Sequence, residues 1–437
     1  MRIELSNINR IKKASIKIDG LTVIAGENDS GKSTLSKMIF SNIKAHANII
    51  NYEKMGLSEK IKPIVYKMYK RIGLPIRRVL YQTNNSLNLP RSADEFIEEF
   101  SSLKNVEIEN VIGEILNKIR ENNQLRMRTK ALLERDLHSI EICLKNSNNP
   151  AALLQPEVFR LIESEFINKI TSEGASESHF SIIDDNESSI MSYDIIDNNV
   201  FNLEYADSFT FFKDATYVES PLHFQLQDVL KRAGSYIDFG NPGSLWAFRS
   251  LMVPMHVKDF SEKINTIVDF SEKTEISQKF VDLIRNTTNG SFVYDRKTRK
   301  IIFKNILGDF SLNNVASGIK SFGVLEIFLS NDIISPEKML LWDEPENHLH
   351  PQWQVYFADI LVQLAKSGIP IVVCSHSPYF IQAIRHFSAK YSIENNVDYY
   401  TSRLEKDGLY TFDEVTADLN RVFAELANPM NQIMDFG

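Results

Sequence analysis

The amino-acid sequence predicts an α/β fold with a central parallel sheet. Three short apolar runs, at 21–25, 339–342 and 369–375, are each followed by polar residues. Runs this short and apolar are typical of parallel strands that are buried on both faces. Open α/β sheets bind ligands at the carboxyl ends of such strands, so the polar residues after each run are the first place to look for a site.

The segment after the first run matches a phosphate-binding loop. It reads GENDSGKST at 26–34 and continues into a predicted helix over 35–43. Glycines in such a loop let successive N–H groups point at phosphate oxygens, the lysine contacts the β- and γ-phosphates, and the next hydroxyl, that of Ser33, binds Mg²⁺. A glycine-rich turn without a ligand is the alternative, but the strand–loop–helix context favours ATP and Mg²⁺. The residues predicted to bind the nucleotide are Gly26, Asn28, Ser30, Gly31, Lys32, Ser33 and Thr34.

An acidic pair follows the second apolar run. Asp343 and Glu344 come directly after it, where a parallel strand would end. Asp343 is predicted to hold Mg²⁺ through water, and Glu344 to be the general base that orients and deprotonates the attacking water. The alternative is a strand that ends in a solvated acidic turn.

A histidine follows the third run. His376 comes directly after Ser375, the last residue of that run. A histidine in this place can hydrogen-bond the γ-phosphate or the attacking water through one ring nitrogen while the other is held. By itself a histidine after a strand is usually structural, but the phosphate loop and the acidic pair favour a catalytic role for His376.

Two longer stretches contain these residues, LLWDEPENHLHP at 340–351 and VVCSHSPYFI at 372–381. They resemble the ABC-type ATPase heads of the SMC, RecF and OLD (overcoming lysogenization defect) group. The resemblance covers both ends of the chain and fades between them. It implies an α/β P-loop NTPase fold of the ABC/SMC-head type, with a mixed sheet, an antiparallel β subdomain and, in this chain, a helical insertion.

The resemblance also implies a signature segment, and NVASGIKS at 314–321 lies where the group has one. In these ATPases the segment contacts the γ-phosphate that is bound to the opposite subunit. Ser317 would donate its hydroxyl, the backbone of Gly318 would approach the phosphate, and Lys320 is similar to the SMC version of the motif. By itself the pattern is weak, because a Ser-Gly helix start is common.

Two further elements of the group stay open in the sequence. One is the glutamine loop, and the other is an N-terminal basic residue that contacts the nucleotide. The candidates are Gln82, Gln225 and Gln227 for the first and Arg10, Lys12 and Lys13 for the second.

Read along the chain, the ATPase head that the resemblance implies is split by an insertion. The head covers 1–45 and 175–437, with a helical and signature lobe at 222–330. Within the head, alternating residues over 179–205 predict an antiparallel meander. The insertion, 46–174, reads as helical and polar.

The insertion contains a short heptad-like spacing at Leu133, Leu137, Ile140 and Leu144. Such a seam is typical of two helices that pack along their length. It is too brief for the long arms of chromosome-organising SMC proteins. A short antiparallel arm and a compact helical subdomain both fit it.

Composition narrows the class of protein. The net charge of −8 argues against a surface built throughout for nucleic acid, although local basic clusters leave nucleic acid open as a partner. The two cysteines form no Cys-x-x-Cys pair, which excludes a zinc hook within this sequence. No signal peptide and no apolar run of bilayer length are visible, so we expect a cytoplasmic protein that does not itself enter a membrane.

The function that the resemblance implies is slow, Mg²⁺-dependent ATP hydrolysis by a homodimer or higher oligomer that sandwiches ATP. Members of this size resemble the ATPase components of bacterial anti-phage systems such as Septu, PARIS and retron-associated modules. There the ATPase controls a separately encoded nuclease or toxin, and we expect this chain to have no nuclease activity of its own. The alternatives are a RecF/SMC-like ATPase that clamps DNA for repair, and a regulatory scaffold that binds ATP with little hydrolysis.

Overall fold

The structure of the protein is a computed structural model. It includes the phosphate loop, the acidic pair, His376 and the signature segment. The described residues are 1–54, 92–102, 105–121, 150–166, 169–206, 212–226, 253–265, 275–295, 298 and 300–426, with separate residues between 62 and 69 and between 127 and 140.

Strands and helices follow the periodicity of the sequence. The strands are β1 (Arg2–Ile8), β2 (Ile11–Lys17), β3 (Leu21–Ala25), β4 (Glu177–Ile183), β5 (Ser189–Ile196), β6 (Asn199–Tyr205), β7 (Asp214–Val218), β8 (Gly290–Asp295), β9 (Lys300–Asn305), β10 (Gly308–Ser311), β11 (Lys338–Asp343), β12 (Ile371–Ser375), β13 (Val397–Leu404) and β14 (Tyr410–Glu414). The helices are α1 (Lys32–Lys54), α2 (Ala93–Ser102), α3 (Asn105–Glu121), α4 (Pro150–Phe166), α5 (Leu222–Gln225), α6 (Met255–Asn265), α7 (Glu275–Thr288), α8 (Ser317–Ser330), α9 (Pro351–Lys366) and α10 (Pro378–Tyr391). The helix after the phosphate loop is thus longer than the one predicted over 35–43.

A large mixed sheet runs through the described residues in the order β6-β5-β4-β1-β2-β14-β13-β3-β12-β11-β7. Its centre is parallel, because β3 lies between β13 and β12, and β11 lies between β12 and β7. Every residue of β3 and β12 is buried. This is the burial expected of parallel strands that are covered on both faces.

The other side of the sheet is antiparallel. Strand β1 pairs with β2 and β4, and β4, β5 and β6 form the meander predicted over 179–205. A small antiparallel sheet of β10, β9 and β8 precedes the signature segment. The parallel centre with its antiparallel extension confirms the predicted α/β P-loop NTPase fold.

An aromatic cluster joins the signature helix to the centre of the sheet. The rings of Trp342 on β11 and Phe357 on α9 meet edge to face with centroids 5.1 Å apart, and Phe322 on α8 meets Phe357 at the same distance. Such pairs contribute about 1 kcal/mol each beyond the area they bury. The cluster therefore fixes α8 against the strand that ends in Asp343.

Helix α6 packs on β7 and α1 through charged groups. The amine of Lys44 on α1 lies 2.6 Å from a carboxylate oxygen of both Asp214 and Asp259, and the amine of Lys263 lies 2.9 and 2.8 Å from the same two residues. Burial disfavours the charged form of Lys44, but the two carboxylates outweigh it and raise its pKa. Buried charges of this kind are tolerated only when they are fully paired, so the network fixes where α6 sits.

The chain divides into two compact units. One contains Met1–Ala47 and the described residues from Gln155 onwards, and the other contains the described residues of Asn48–Leu154. The domain limits predicted at 45 and 175 stay a prediction. No described helix is long and apolar enough to cross a membrane.

The second unit has its own apolar core. Phe96 and Phe100 stack with centroids 4.0 Å apart. Residues Leu133, Leu137 and Ile140 of the predicted seam are buried in the same cluster as these rings. Leu144 and most residues of the basic clusters at 67–78, 126–135 and 296–300 lie outside the described residues.

Candidate nucleotide-binding site

The three motifs meet at one edge of the sheet. Strands β3, β12 and β11 are parallel neighbours, with Ala25 opposite Ser375 and Cys374 opposite Asp343. Because parallel strands end at the same edge, the phosphate loop, the acidic pair and His376 follow one another along it.

The phosphate loop has a backbone that requires glycine. Gly26 and Gly31 have φ of +152° and +92°. A Cβ on Gly26 would lie 2.0 Å from the Ser402 hydroxyl, and one on Gly31 would lie 2.9 Å from a side-chain carbon of Ile11. Any other residue would therefore strain the loop and push it away from β2 and β13.

Lys32 closes the loop upon itself. Its side chain is buried, and its amine donates hydrogen bonds to the carbonyl oxygens of Gly26 at 2.9 Å and Glu27 at 2.6 Å. The nearby hydroxyl of Ser30 is buried without a hydrogen-bond partner among the described residues. A buried polar atom without a partner is costly unless a ligand satisfies it.

Asp343 offers one carboxylate oxygen to a metal. It is buried, its Oδ2 accepts a hydrogen bond from the Tyr217 hydroxyl at 3.0 Å, and its Oδ1 has no hydrogen-bond partner among the described residues. Burial raises the pKa of Asp343, while the hydroxyls of Ser33 and Tyr217 oppose that rise. Carboxylate and hydroxyl oxygens are the ligands that Mg²⁺ prefers, so Asp343 and Ser33 fit this ion.

Glu344 and His376 form a hydrogen-bonded pair. Nδ1 of His376 lies 3.0 Å from Oε1 of Glu344, and the side-chain amide of Asn347 donates to Oε2 at 2.7 Å. The contact with His376 is the main reason that the pKa of Glu344 falls to about 2, and the same contact raises the pKa of His376. Glu344 is therefore a carboxylate at neutral pH, as a base must be.

The backbone of Glu344 is also unusual, with φ of +47°. A side chain other than glycine in the left-handed region costs free energy, and such conformations cluster at functional sites. The N–H of Glu344 donates to the carbonyl of Cys374 at 2.9 Å, which holds the residue against β12. This geometry aims the carboxylate at His376.

Sequence reasoning missed Glu346. This buried carboxylate accepts hydrogen bonds through Oε1 from the Ser375 hydroxyl at 2.6 Å and from the backbone N–H groups of His376 and Ser377 at 3.0 and 3.2 Å. It therefore fixes the turn that carries His376. Its position two residues after Glu344 is the sequence feature that could have identified it as a site residue.

Sequence reasoning also missed Tyr217, whose hydroxyl donates a hydrogen bond to the predicted metal ligand Asp343. Nothing within the sequence marks this hydroxyl as part of the site. Burial raises its pKa well above the usual range, so it remains a hydrogen-bond donor.

The candidate signature residues lie in the first turn of α8, and their contact with a nucleotide stays a prediction. Ser317 is the first residue of the helix. A Cβ on Gly318 would lie 2.9 Å from a side-chain carbon of Leu349 and 3.3 Å from the carbonyl oxygen of His348. The first turn of α8 therefore packs on the segment that follows Glu344, and a side chain at 318 would push against Leu349 and the backbone of His348.

Lys320 is directed into its own chain. Its side chain is buried, and its amine donates to the side-chain oxygen of Gln225 at the end of α5. Burial lowers the pKa of Lys320. Gln225 is one of the glutamine-loop candidates, whereas Gln82 and Gln227 lie outside the described residues.

Of the N-terminal basic candidates, Arg10 contacts the phosphate loop. It forms an ion pair with Asp29, a loop residue with φ of +63°. Lys12 pairs with Asp407 on the turn between β13 and β14. A nucleotide contact by any of these basic residues stays a prediction.

The fold and this site define a P-loop ATPase. The family profile of the AAA ATPase domain matches residues 1–381, so the chain belongs to that family. This membership confirms the predicted class of ATPase, and it leaves the place within the SMC, RecF and OLD group as a prediction. No curated protein matches the chain.

Solved structures of SMC head domains are similar to the chain. A head bound to the C-winged helix domain of ScpA has 11% identity over 96% of this chain and 98% of its own, with a TM-score of 0.41. The head domain from Thermotoga maritima has 11% identity over 95% and 98%, with a TM-score of 0.37. A head with an extended coiled coil bound to the C-terminal domain of ScpA, from Pyrococcus furiosus, has 11% identity over 97% and 98%, with a TM-score of 0.39. Likeness at this level defines neither an activity nor a partner.

Proposed function

We propose that this protein hydrolyses ATP with Mg²⁺ and that Glu344 is the general base. The observation that carries the proposal is the hydrogen bond of 3.0 Å between Glu344 and His376, one strand away from the phosphate loop. An ionised carboxylate that is held beside a histidine can orient an attacking water and accept its proton as the water attacks the phosphate. His376 holds that carboxylate through Nδ1, which leaves Nε2 for the γ-phosphate or the water.

The remaining residues bind and orient the substrate. Lys32 and the N–H groups at the start of α1 would hold the phosphates. Ser33 and Asp343 would hold Mg²⁺, which supplies neutralisation of the phosphate charge. These roles explain the buried oxygens of Ser30 and Asp343 that have no partner among the described residues.

A second copy of the chain would complete the site through the N-terminus of α8. The first N–H groups of a helix have no partner within the helix and are suited to bind an anion. Ser317 and Gly318 are half-buried, so a neighbouring copy can reach them. For Lys320 the contact with Gln225 supports an indirect role, in which it fixes α8 rather than touching the phosphate.

The output of this cycle would be control of a separately encoded nuclease or toxin in anti-phage defence, in the cytoplasm. This step is supported by the resemblance of 340–351 and 372–381 to that group of ATPases. Copurification of the protein encoded beside this one, with and without ATP, tests it.

Phosphate release from ATP by the purified full chain tests the catalytic proposal. We expect slow turnover that requires Mg²⁺, no nucleotide binding by Lys32→Ala, and binding without turnover by Glu344→Gln, with accumulation of a dimer. The matched control is Glu337→Gln, at the opposite end of the strand that leads to Glu344, where the side chain is 58% exposed. Wild-type turnover in Glu344→Gln would reject the base, and strong stimulation by double-stranded DNA would favour a DNA clamp over effector control.

A further inference from the structure

We propose that Tyr217 positions the metal-binding carboxylate of Asp343, and that His256 and Glu219 hold Tyr217 in place. The inference rests on the proposed function, since it concerns the site for Mg²⁺. It assigns a role to a buried residue on β7, a strand outside all the nucleotide-binding motifs of the sequence.

The two carboxylate oxygens of Asp343 have different surroundings. The Tyr217 hydroxyl donates to Oδ2 at 3.0 Å, and Oδ1 has no partner among the described residues. A carboxylate can rotate about its last bond, so fixing one oxygen decides where the other points. Hydrogen bonds of this kind orient metal ligands and raise metal affinity.

Strand register explains how Tyr217 reaches this carboxylate. Tyr217 is opposite Leu341 in the parallel pair of β7 and β11. Asp343 lies two residues beyond Leu341 and therefore on the same face of the sheet. A tyrosine is long enough to reach this diagonal neighbour, and a shorter hydroxyl side chain is not.

The ring of Tyr217 is itself held by a buried histidine. The His256 ring, on α6, meets it edge on with centroids 4.8 Å apart. Both nitrogens of His256 are engaged, Nδ1 with Glu165 at 2.7 Å and Nε2 with Glu219 at 3.1 Å. Glu219 also lies 3.3 Å from the amine of Lys37 on α1. The imidazole therefore cannot turn without breaking a hydrogen bond to a carboxylate.

These contacts link the two halves of the proposed Mg²⁺ site. Ser33 belongs to α1, and Asp343 ends β11, two elements that are far apart in sequence. The path from Lys37 through Glu219, His256 and Tyr217 joins that helix to that carboxylate. The spacing of the two ligands is thus fixed by residues that bind neither nucleotide nor metal themselves.

Isothermal titration of ATP into Tyr217→Phe tests the role of the hydroxyl. Binding is measured first in EDTA and then at a series of Mg²⁺ concentrations. We expect the affinity for ATP in EDTA to stay within about twofold of the wild type, and the Mg²⁺ concentration that gives half of the full effect to rise about tenfold. Ser33→Ala is the positive control, because it removes a proposed ligand.

The matched control is Tyr193→Phe. Tyr193 is also buried, and its hydroxyl donates to Asn42 on the same helix α1 at 2.9 Å. Its loss removes a comparable hydrogen bond far from Asp343 in the sheet order, so the Mg²⁺ requirement should not change. Glu219→Gln tests the contact that holds His256, at a position where the side chain is 40% exposed. This substitution should raise the Mg²⁺ concentration that gives half of the full effect about threefold.

Two results would overturn the inference. One is an unchanged Mg²⁺ requirement in Tyr217→Phe while Ser33→Ala raises it. The other is an equal loss of ATP affinity with and without Mg²⁺, which would show a merely structural role. If Tyr217→Phe does not fold, an unchanged requirement in Glu219→Gln decides against the inference. Wild-type binding that ignores Mg²⁺ would instead reject the proposed function.

Discussion

Replacing Glu346 with alanine should separate the positioning of His376 from the binding of ATP. The carboxylate accepts three hydrogen bonds within 3.2 Å, from the Ser375 hydroxyl and from the N–H groups of His376 and Ser377. Burial raises the pKa of Glu346, and the Ser375 hydroxyl is the main group that opposes the rise. No atom of alanine can replace this acceptor.

The size of the effect follows from these contacts. The N–H of Ser377 keeps a second acceptor, the Ser375 hydroxyl, at 3.1 Å, so two donors lose their partner outright. A buried donor without a partner costs about 1–3 kcal/mol, and we expect the free energy of unfolding to fall by about 3 kcal/mol. The turn that carries His376 would then shift, and a misplacement of about 1 Å in a catalytic group costs about 100-fold in rate.

Steady-state phosphate release and urea unfolding measure both effects. We expect kcat to fall about 100-fold in Glu346→Ala, with KM for ATP within a few-fold of the wild type, because the phosphate loop is untouched. Glu346→Gln keeps the oxygen that accepts these bonds and should recover most of kcat. A kcat within twofold of the wild type for Glu346→Ala, in a protein that is destabilised as expected, would refute the reasoning.

Three further outcomes are expected. Ser317→Arg should leave ATP affinity unchanged and abolish the ATP-dependent dimer seen by size-exclusion chromatography, since the new side chain would fill the surface that a second copy covers; an intact dimer would contradict this. Asp259→Asn leaves Lys44 with one fewer carboxylate and should lower the free energy of unfolding by about 3 kcal/mol, with little effect on ATP affinity. The hydrogen bond from His256 is the main cause that lowers the pKa of Glu219 to about 2, while the pKa of His256 is raised because its bonds to carboxylates outweigh the effect of burial. The stability that this pair contributes is lost as pH falls below the unfolded pKa of Glu, about 4.3, or rises above the unfolded pKa of His, about 6.5. The free energy of unfolding in urea should therefore differ most between the wild type and His256→Asn between these two pH values. A difference that does not depend on pH would contradict the pairing.

Residues that lie close together in the sequence were predictable as site residues. A phosphate loop needs its glycines, its lysine and its hydroxyl in one short loop, so the whole pattern lies in nine consecutive residues at 26–34. Asp343, Glu344 and His376 were also predictable, because the acidic pair and the histidine each directly follow an apolar run. Because parallel strands end at one edge, the meeting of these segments could also be predicted, and β3, β12 and β11 are neighbours there.

Contacts between distant segments were decided only by the tertiary structure. The sequence does not state which strand lies beside β11, and β7 takes that place by its register, which brings Tyr217 to Asp343. The sequence predicts that Lys320 binds the nucleotide, but it does not show that the Lys320 amine donates to Gln225 of the same chain.

The sequence by itself determined the class of chemistry, because phosphate, metal and water are each recognised by short local patterns. The tertiary structure decided which groups hold those patterns in place. Their partners are set by strand register and by the direction of side chains in a packed core, and they are Tyr217, Glu346 and Gln225. Register and side-chain direction both depend on contacts between distant segments, so no contiguous stretch of the chain determines them.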